Sequence, residues 1–337
     1  MFALLVASFL ASVVMAAAVV AMLRPPDPGE VVLRAVTATF LACGMTVLVG
    51  LLTDADTAEF LLALALGVAP VTVLLGAAAG EAAPGERRVA RSLVYLWAGI
   101  VFPLCVVVPA LVFRGCATPE CRVEDFGGGL PLLVSSAASV LLAWRAHEAG
   151  PERGWLRFSL AVAVLWLGVA VWLASLEGAI DPYTGRILLA AVASPAGGAI
   201  AWLLVDVLRR AERHPVRSLA DGVVAGLVAI VPGAATVSFP WSLLVGALAG
   251  AVAALVFGAR RLASAGRAGH WALVVLSSTA VGYLAPAISG DTIGLVFSGR
   301  IAALLPPLVA FTAVGAIGVF TSAISWLVIA KRKKPPV

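Results

Sequence analysis

Residues 218–250 read SLADGVVAGLVAIVPGAATVSFPWSLLVGALAG, an apolar stretch with regularly spaced small residues. Gly222 and Gly226 lie four residues apart in its first part, and Gly246 and Gly250 repeat that spacing in its second part. A Pro-Gly pair interrupts the stretch between the two parts. Small residues at four-residue spacing let helix backbones approach closely inside a membrane. The stretch therefore predicts two membrane helices that pack tightly, with a turn between them.

The composition of the whole chain agrees with a membrane protein. Of its 337 residues, 62% are hydrophobic and only 12% are charged. Soluble domains are about half apolar and about a quarter charged. The net charge of +5 does not indicate a nucleic-acid binder, because the basic residues are spread along the chain between apolar segments and form no single patch. A lipid bilayer is the expected surrounding.

Eleven apolar segments can be placed, each long enough to cross a bilayer as a helix, which takes about 20 residues. They are 2–23, 32–52, 59–79, 92–113, 127–146, 156–176, 184–208, 218–236, 240–258, 270–288 and 301–330. The segments are too long for barrel strands, which need about 10 residues of alternating polarity. The first segment has no basic residue before it, so we interpret it as a retained span and not as a signal peptide.

The basic residues predict the orientation of these segments. With the N-terminus outside the cell, nineteen of the 23 Lys and Arg residues fall on the cytoplasmic side, including all four in the tail. The four on the outer side are Arg114, Arg122, Arg186 and Arg300. This asymmetry obeys the positive-inside rule. We predict a multi-pass protein of the plasma membrane whose C-terminus is cytoplasmic.

The four cysteines do not indicate a metal site. Cys43 and Cys105 lie within apolar spans, where a thiol usually packs as a small hydrophobic group. Cys116 and Cys121 share a predicted outer loop, in which a disulfide is chemically permitted. The sequence leaves open whether this pair is bonded, and in either state we expect its role to be structural.

No catalytic or cofactor-binding motif stands out. A phosphate-binding loop, a nucleophile with a base and a redox motif are all missing from the sequence. The three histidines fall in or beside predicted cytoplasmic loops, at His147, His214 and His270. We therefore expect neither an enzyme nor a bound cofactor.

Carboxylates lie at or near the ends of the predicted spans and not at their centres. They are Glu59, Asp125, Glu177, Asp206 and Asp221. An ion-coupled secondary transporter would need carboxylates inside its spans, so this placement disfavours that class. Asp125 directly precedes the fifth span, where its carboxylate can cap the free N–H groups of the helix start. A capping role and a role in recruiting cations both fit that position.

Several motifs resemble the ammonium transporter family (Amt/Mep/Rh). Residues 218–250 are similar to that family's eighth and ninth spans, Asp125-Phe-Gly-Gly-Gly129 to the start of its fifth, and Leu165-Trp-Leu-Gly168 to its sixth. The resemblance implies two inverted five-helix halves, here 1–146 and 156–288, around a narrow pore. It also implies a long tilted last helix, 301–330, and assembly as a homotrimer.

The resemblance also implies pore positions, and several of them have changed chemistry in this chain. The family's facing pore histidines fall on Leu133 and Val275, which are both apolar. Other pore-lining positions fall on Phe113, Trp172, Leu66 and Leu176. Arg114, beside Phe113, would repel a cation. A pore without imidazoles would be dry and apolar.

Two functions follow from the resemblance. The first is an ammonium transporter-like channel for ammonium, ammonia or another small neutral solute. The alternative is a non-conducting member that acts as a sensor or a partner subunit. The family's cytoplasmic tail is reduced here to a short basic segment, 331–337, so we do not expect a regulatory protein to dock there. The basic residues are expected to anchor the last helix at the anionic inner leaflet.

Overall fold

The computed structural model describes residues 2–25, 27–53, 58–81, 87–112, 123–143, 154–258, 266–291 and 294–332. In this part of the chain the spans are span 1 (Phe2–Leu23), span 2 (Pro28–Thr53), span 3 (Ala58–Leu66 and Val68–Glu81), span 4 (Arg87–Leu96, Trp97–Val101 and Phe102–Val112), span 5 (Gly129–Val134 and Ser135–Ala143), span 6 (Trp155–Leu176), span 7 (Pro182–Leu208), span 8 (Pro215–Ile230), span 9 (Phe239–Phe257), span 10 (Gly266–Ser289) and span 11 (Leu305–Arg332). We call spans 1–5 the first half and spans 6–10 the second half.

The predicted all-helical membrane fold is confirmed. Within the described residues, ten helices are long and apolar enough to cross a bilayer, and the described part of span 5 supplies a shorter apolar helix, Gly129–Val140. No strand occurs in the same residues, where a single antiparallel bridge joins Val237 to Gly290. Since backbone polar groups cannot remain unpaired in lipid, a bundle of helices satisfies them within each span.

Three of the predicted segments differ in detail from the structure. The third, in which Pro70 predicts a kink, is broken at Gly67. The eighth ends at Ile230 and not at residue 236, because the next turn is a 3-10 helix that contains Pro232. The eleventh begins with a 3-10 turn, Ile301–Leu304, before the long helix starts. Proline and glycine inside apolar runs explain the first two differences.

Spans 4 and 5 each contain a wide π-helical turn. They cover Trp97–Val101 and Gly129–Val134. Pro131 lies inside the second turn and has no N–H to donate to a regular helix. The indole N–H of Trp97 donates to Ser135 Oγ at 2.9 Å, which fixes the two spans together. Turns of this kind often accompany functional sites.

Spans 7, 8 and 9 meet backbone to backbone. A Cβ added at Gly222 would overlap Gly198 O, and one added at Gly246 would overlap Ser194 O. Ser194 Oγ donates to Gly226 O at 2.8 Å, which links spans 7 and 8 directly. The close packing that the glycine spacing predicted is therefore present, and span 7 lies between the two glycine-rich helices.

Span 11 crosses span 5. Ser139 Oγ lies 3.4 Å from Gly318 O, and a Cβ added at Gly318 would come within 2.7 Å of Ser135 O. The helix has 28 residues, which corresponds to about 42 Å at the usual rise per residue. Because a bilayer core is about 30 Å thick, such a helix must tilt or protrude.

One end of the bundle, here called the basic end, carries most of the described arginines. They include Arg24, Arg34, Arg91, Arg209, Arg213 and Arg217. Each half has a carboxylate held by two of these arginines at this end. Glu30 pairs with Arg34 and Arg91 in the first half, and Asp221 pairs with Arg213 and Arg217 in the second. The side chain of Glu30 is 34% exposed, whereas that of Asp221 is 1% exposed.

Candidate functional site: an apolar cavity between the two halves

The break in span 3 frees two backbone carbonyls. Pro70 has no N–H, so Leu66 O has no donor four residues further along the helix. Gly67 N donates to Leu64 O at 2.9 Å, which leaves Ala63 O without its regular helical partner. In a membrane both carbonyls need other donors, because there is no surrounding water to supply them.

Neighbouring spans supply those donors. Ser12 Oγ, from span 1, donates to Leu66 O at 2.5 Å, and Ser8 Oγ donates to Ala63 O at 3.3 Å. The indole N–H of Trp172, from span 6, also donates to Ala63 O, at 3.1 Å. The broken helix is therefore held from both halves of the molecule.

Trp172 occupies the space that the missing side chain of Gly67 leaves. A Cβ added at Gly67 would overlap the six-membered ring of the indole. Trp172 is only 4% exposed, so this ring is part of the interior. Gly67 is required here because any side chain would displace the indole from the wall between spans 3 and 6.

Asp125 lies at the start of span 5, as its position in the sequence suggested. Its carboxylate accepts hydrogen bonds from Gly129 N at 2.5 Å and from Leu130 N at 2.8 Å. Burial raises the pKa of the Asp125 carboxyl to about 6, while the two amide hydrogen bonds act in the opposite direction. This arrangement satisfies the free N–H groups of the first turn and fixes the direction of span 5.

The three glycines after Asp125 bring span 5 against the end of span 8. Phe126 N donates to Pro232 O at 2.9 Å, and Gly127 N donates to Val231 O at 3.0 Å. Gly128 has a φ of +69°, a left-handed conformation that glycine adopts without steric cost. The chain can therefore turn sharply into span 5 where the two halves meet.

A cavity of about 130 Å³ lies between the halves. Spans 1, 3 and 5 line it from the first half, and spans 6, 8 and 10 line it from the second. Its lining side chains are nonpolar, and the representative ones are Met15, Leu133, Trp172, Val228, Trp271 and Val275. The cavity lies beside the broken span 3 and the capped start of span 5.

The structure brings three of the sequence-predicted pore residues to this cavity. Leu133, Val275 and Trp172 all line it. Leu66 is half-buried just before the break in span 3 and is not among the lining residues, and Leu176 is buried in the core at the end of span 6. Three further residues singled out in the sequence, Phe113, Cys116 and Cys121, lie outside the described residues.

Aromatic and charged groups meet where the cavity approaches the basic end. Trp271 stacks on Phe158, with ring centroids 5.8 Å apart. The guanidinium carbon of Arg217 lies 3.3 Å from the centroid of the Phe158 ring. Arg217 Nε donates to Asp221 Oδ1 at 3.1 Å. The wall of the cavity is thus continuous with the buried ion cluster of the second half.

Pro70 predicts a kink and freed carbonyls within the third segment, but sequence reasoning missed Gly67 and the serines that shape span 3. Gly67 lies three residues before Pro70 inside an unbroken apolar run, and this pattern was the available signal for a break. Ser8 and Ser12 lie four residues apart on one face of span 1, which is where donors for a neighbouring helix are expected. Neither pattern identifies which span the serines would face.

Comparison with known proteins identifies the family of this chain. Residues 55–334 match the model of the Ammonium Transporter Family, which is more than half of the chain. The chain belongs to the ammonium transporter family. The resemblance that residues 218–250 suggested is therefore confirmed at the level of the family.

Curated members of the ammonium transporter family match parts of the chain. An ammonium transporter of Mycobacterium tuberculosis is 30% identical over 144 residues, which cover 40% of this chain and 30% of the relative. The ammonium transporter Amt2 of Haloferax mediterranei is 27% identical over 224 residues, which cover 59% of this chain and 48% of the relative. The chain thus spans less than half the length of these two relatives.

Solved structures share the fold of nearly the whole chain. Mep2 of Candida albicans gives a TM-score of 0.70 at 17% identity, covering 96% of this chain and 83% of Mep2. Mep2 of Saccharomyces cerevisiae gives 0.70 at 14% identity, covering 96% and 87%. A sensor Amt protein gives 0.73 at 14% identity, covering 99% and 94%. At these identities the likeness carries the fold alone.

Proposed function

We propose that this member of the ammonium transporter family conducts a small uncharged solute, with ammonia as the first candidate, and excludes the ammonium cation. The observation that carries the proposal is the nonpolar cavity in which Leu133 and Val275 lie together with Trp172. By resemblance, the first two occupy the positions of the family's pore histidines. Membership of the family supports ammonium or ammonia as the substrate class.

The chemistry of the lining supports an uncharged solute. A cation inside a bilayer costs several kcal/mol unless charges, dipoles or aromatic faces compensate. The described lining residues carry no charged or titratable side chain. Trp172 carries an indole N–H near the break in span 3, but this N–H already donates to Ala63 O. Ammonium would therefore have to lose a proton before entry, whereas ammonia is uncharged and could enter directly.

The orientation and assembly belong to the same proposal. We place the basic end in the cytoplasm, since basic residues concentrate on the inner side of membrane proteins. The homotrimer that the resemblance implies is testable by native mass spectrometry of the detergent-extracted protein. A species of three times the chain mass is expected, and a stable monomer under gentle extraction would contradict this assembly.

Proteoliposomes with an entrapped pH dye test the conduction. Ammonium chloride added outside should raise the internal pH faster than in protein-free vesicles, and no electrical current should accompany it. The double variant Leu133→His/Val275→His should add a current, because the imidazoles can then accept the proton that ammonium releases and pass it on to the vesicle interior, where ammonia takes it up again. The control Leu133→Met/Val275→Ile changes the shape of the lining but keeps it apolar, so it should add none.

A non-conducting sensor or partner subunit is the second candidate, and the position of Trp172 favours it. Its indole fills the space beside Gly67 at the cavity end opposite the basic end. In this position the indole would obstruct a path from the cavity to the outside of the membrane. If native vesicles take up ammonia no faster than protein-free ones, while a Trp172→Ala variant does, the second candidate replaces the first. A current in the native protein would contradict the exclusion of ammonium.

A further inference from the structure

The cavity between the halves has the size and chemistry of a binding site for apolar molecules. We propose that it holds one apolar guest, from a rare-gas atom up to about the size of benzene, and that an occupied cavity blocks conduction. The blocking part rests on the proposed function, whereas the binding part does not. An apolar blocker differs in chemistry from any cation that the family name suggests.

The lining supports this choice of guest. Side chains from both halves surround the space, including Met15, Val71, Leu133, Val228 and Val275. Each presents only carbon, hydrogen or thioether sulfur to the interior. A guest that needs hydrogen bonds would find no partner on these side chains, and a polar molecule loses its hydration on entry. A guest without polar groups has no hydrogen bonds with water to lose on entry.

The volume sets the size of the guest. An engineered protein cavity of about 150 Å³ lined by Leu, Ile and Phe stays dry and binds benzene or xenon. The present cavity, about 130 Å³, is similar in size and lining. A water molecule needs two to four polar partners to remain in such a space. Hydration therefore does not compete strongly with an apolar guest.

The walls can adapt to guests of different shape. Met15 and Met22 both line the cavity, and methionine side chains are unbranched and polarizable. Gly168 leaves room for Met15, since a Cβ added there would come within 2.6 Å of Met15 Cγ. The Met15 side chain fills this space, and it can change shape by rotation about its own side-chain bonds. We expect the site to accept both a compact atom and a flat ring.

Xenon is the probe for binding, used with the full chain purified in detergent. The ¹²⁹Xe chemical shift should change with protein concentration in a saturable way, and xenon-pressurised crystals should show one atom between Leu133 and Val275. Leu133→Phe fills the cavity and should weaken binding at least tenfold. The matched control is Leu167→Phe on the exposed face of span 6, where the side chain is 69% exposed; it should bind like the native protein.

A second variant keeps the test decisive if Leu133→Phe does not fold. Val275→Ala enlarges the same space and should bind benzene more tightly than the native protein does, measured by calorimetry. Binding that is not saturable, or that is equal in every variant, would place xenon in detergent or on the lipid-facing surface and overturn the site. Xenon resolved only outside the cavity would have the same consequence.

Flux measurements separate this inference from the proposed function. Saturating xenon or benzene should slow ammonia uptake in native and Leu167→Phe vesicles alike. If uptake occurs but ignores a guest that demonstrably binds, the cavity is not in the path and the blocking part fails. If no variant takes up ammonia although xenon binds, conduction fails while the binding site stands.

Discussion

Spans 7, 8 and 9 pack backbone against backbone, whereas the helices of the first half meet mainly through side chains. In the second half, a Cβ added at Gly198 or Gly246 would strike a neighbouring main chain. In the first half, one added at Gly99 would meet only the side chain of Leu41, at 2.9 Å, and one added at Gly44 would meet nothing within 4 Å. Main chains cannot rotate out of the way, but side chains can.

This difference assigns a role to each half. The second half forms a stiff wall, because its helices cannot shift without breaking close backbone contacts. The first half supplies a broken helix, span 3, whose carbonyls depend on hydroxyl donors from span 1. Any change in the shape of the cavity is therefore expected to come from spans 1, 3 and 5. Matched substitutions in the two halves test this contrast.

The largest effect is expected from the same glycine substitution made in each half. Gly246→Ala places a methyl group against Ser194 O and should lower the free energy of unfolding by about 3 kcal/mol or prevent folding, since overpacking has costs of this size. Gly44→Ala meets open space within span 2 and should raise the same quantity by about 0.5 kcal/mol. Titration with SDS from mild detergent measures both. Equal midpoints would remove the contrast between the halves.

The two carboxylate clusters at the basic end give the next effect. Asp221→Asn removes the buried charge that Arg213 and Arg217 share, although Arg213 keeps its longer pair with Asp206 at 3.7 Å, and should cost about 3 kcal/mol. Glu30→Gln changes a carboxylate that is 34% exposed, so water replaces much of the lost pairing, and the cost should be about 1 kcal/mol or less. The same SDS titration compares them. A larger loss for Glu30→Gln would show that burial does not govern these clusters.

These contrasts also show what the sequence could and could not predict. The number of spans followed from segment length and from alternating charge; the described residues contain ten helices of spanning length and one shorter apolar helix, which agrees roughly with the eleven predicted. The close approach at Gly226 and Gly246 followed from glycine spacing, because small residues four positions apart let helix backbones approach closely. Pro70 predicts a kink in the third segment, but the position of the break at Gly67 was missed, since a glycine within an apolar run is compatible with a continuous helix. Its donors are supplied by other spans, which local sequence does not specify.

The cavity illustrates the same limit. Leu133 and Val275 are 142 residues apart in the chain, and nothing in their neighbouring residues links them. They became a pair only through the resemblance to a family with facing pore residues. The partner choice within each ion cluster was likewise hidden, since Asp221 could be read only as a charge near the end of a span. Contacts between distant residues need the fold.

A smaller effect is expected at the break in span 3. Gly67→Ala should displace the indole of Trp172, weaken its hydrogen bond to Ala63 O and cost about 2 kcal/mol. Gly76→Ala, in the second part of the same span, is the matched control, because its added Cβ would lie 3.4 Å from a Val31 methyl group, an ordinary contact. Hydrogen–deuterium exchange of the span 3 amides should rise in the first variant alone. Unchanged exchange in both would mean that the indole does not hold the break.

The smallest effect concerns the hydroxyl donors of span 1. Ser12→Ala removes the donor to Leu66 O, which Pro70 leaves without a helical partner, and should cost about 1 kcal/mol. Ser159→Ala is the control, because Ser159 Oγ bonds within its own helix to Trp155 O, whose carbonyl also has a regular partner in span 6. Its unfolding free energy should change by a few tenths of a kcal/mol at most. If the two variants unfold alike, the broken helix of the first half does not depend on its neighbours, and the two halves differ less than their glycine contacts suggest.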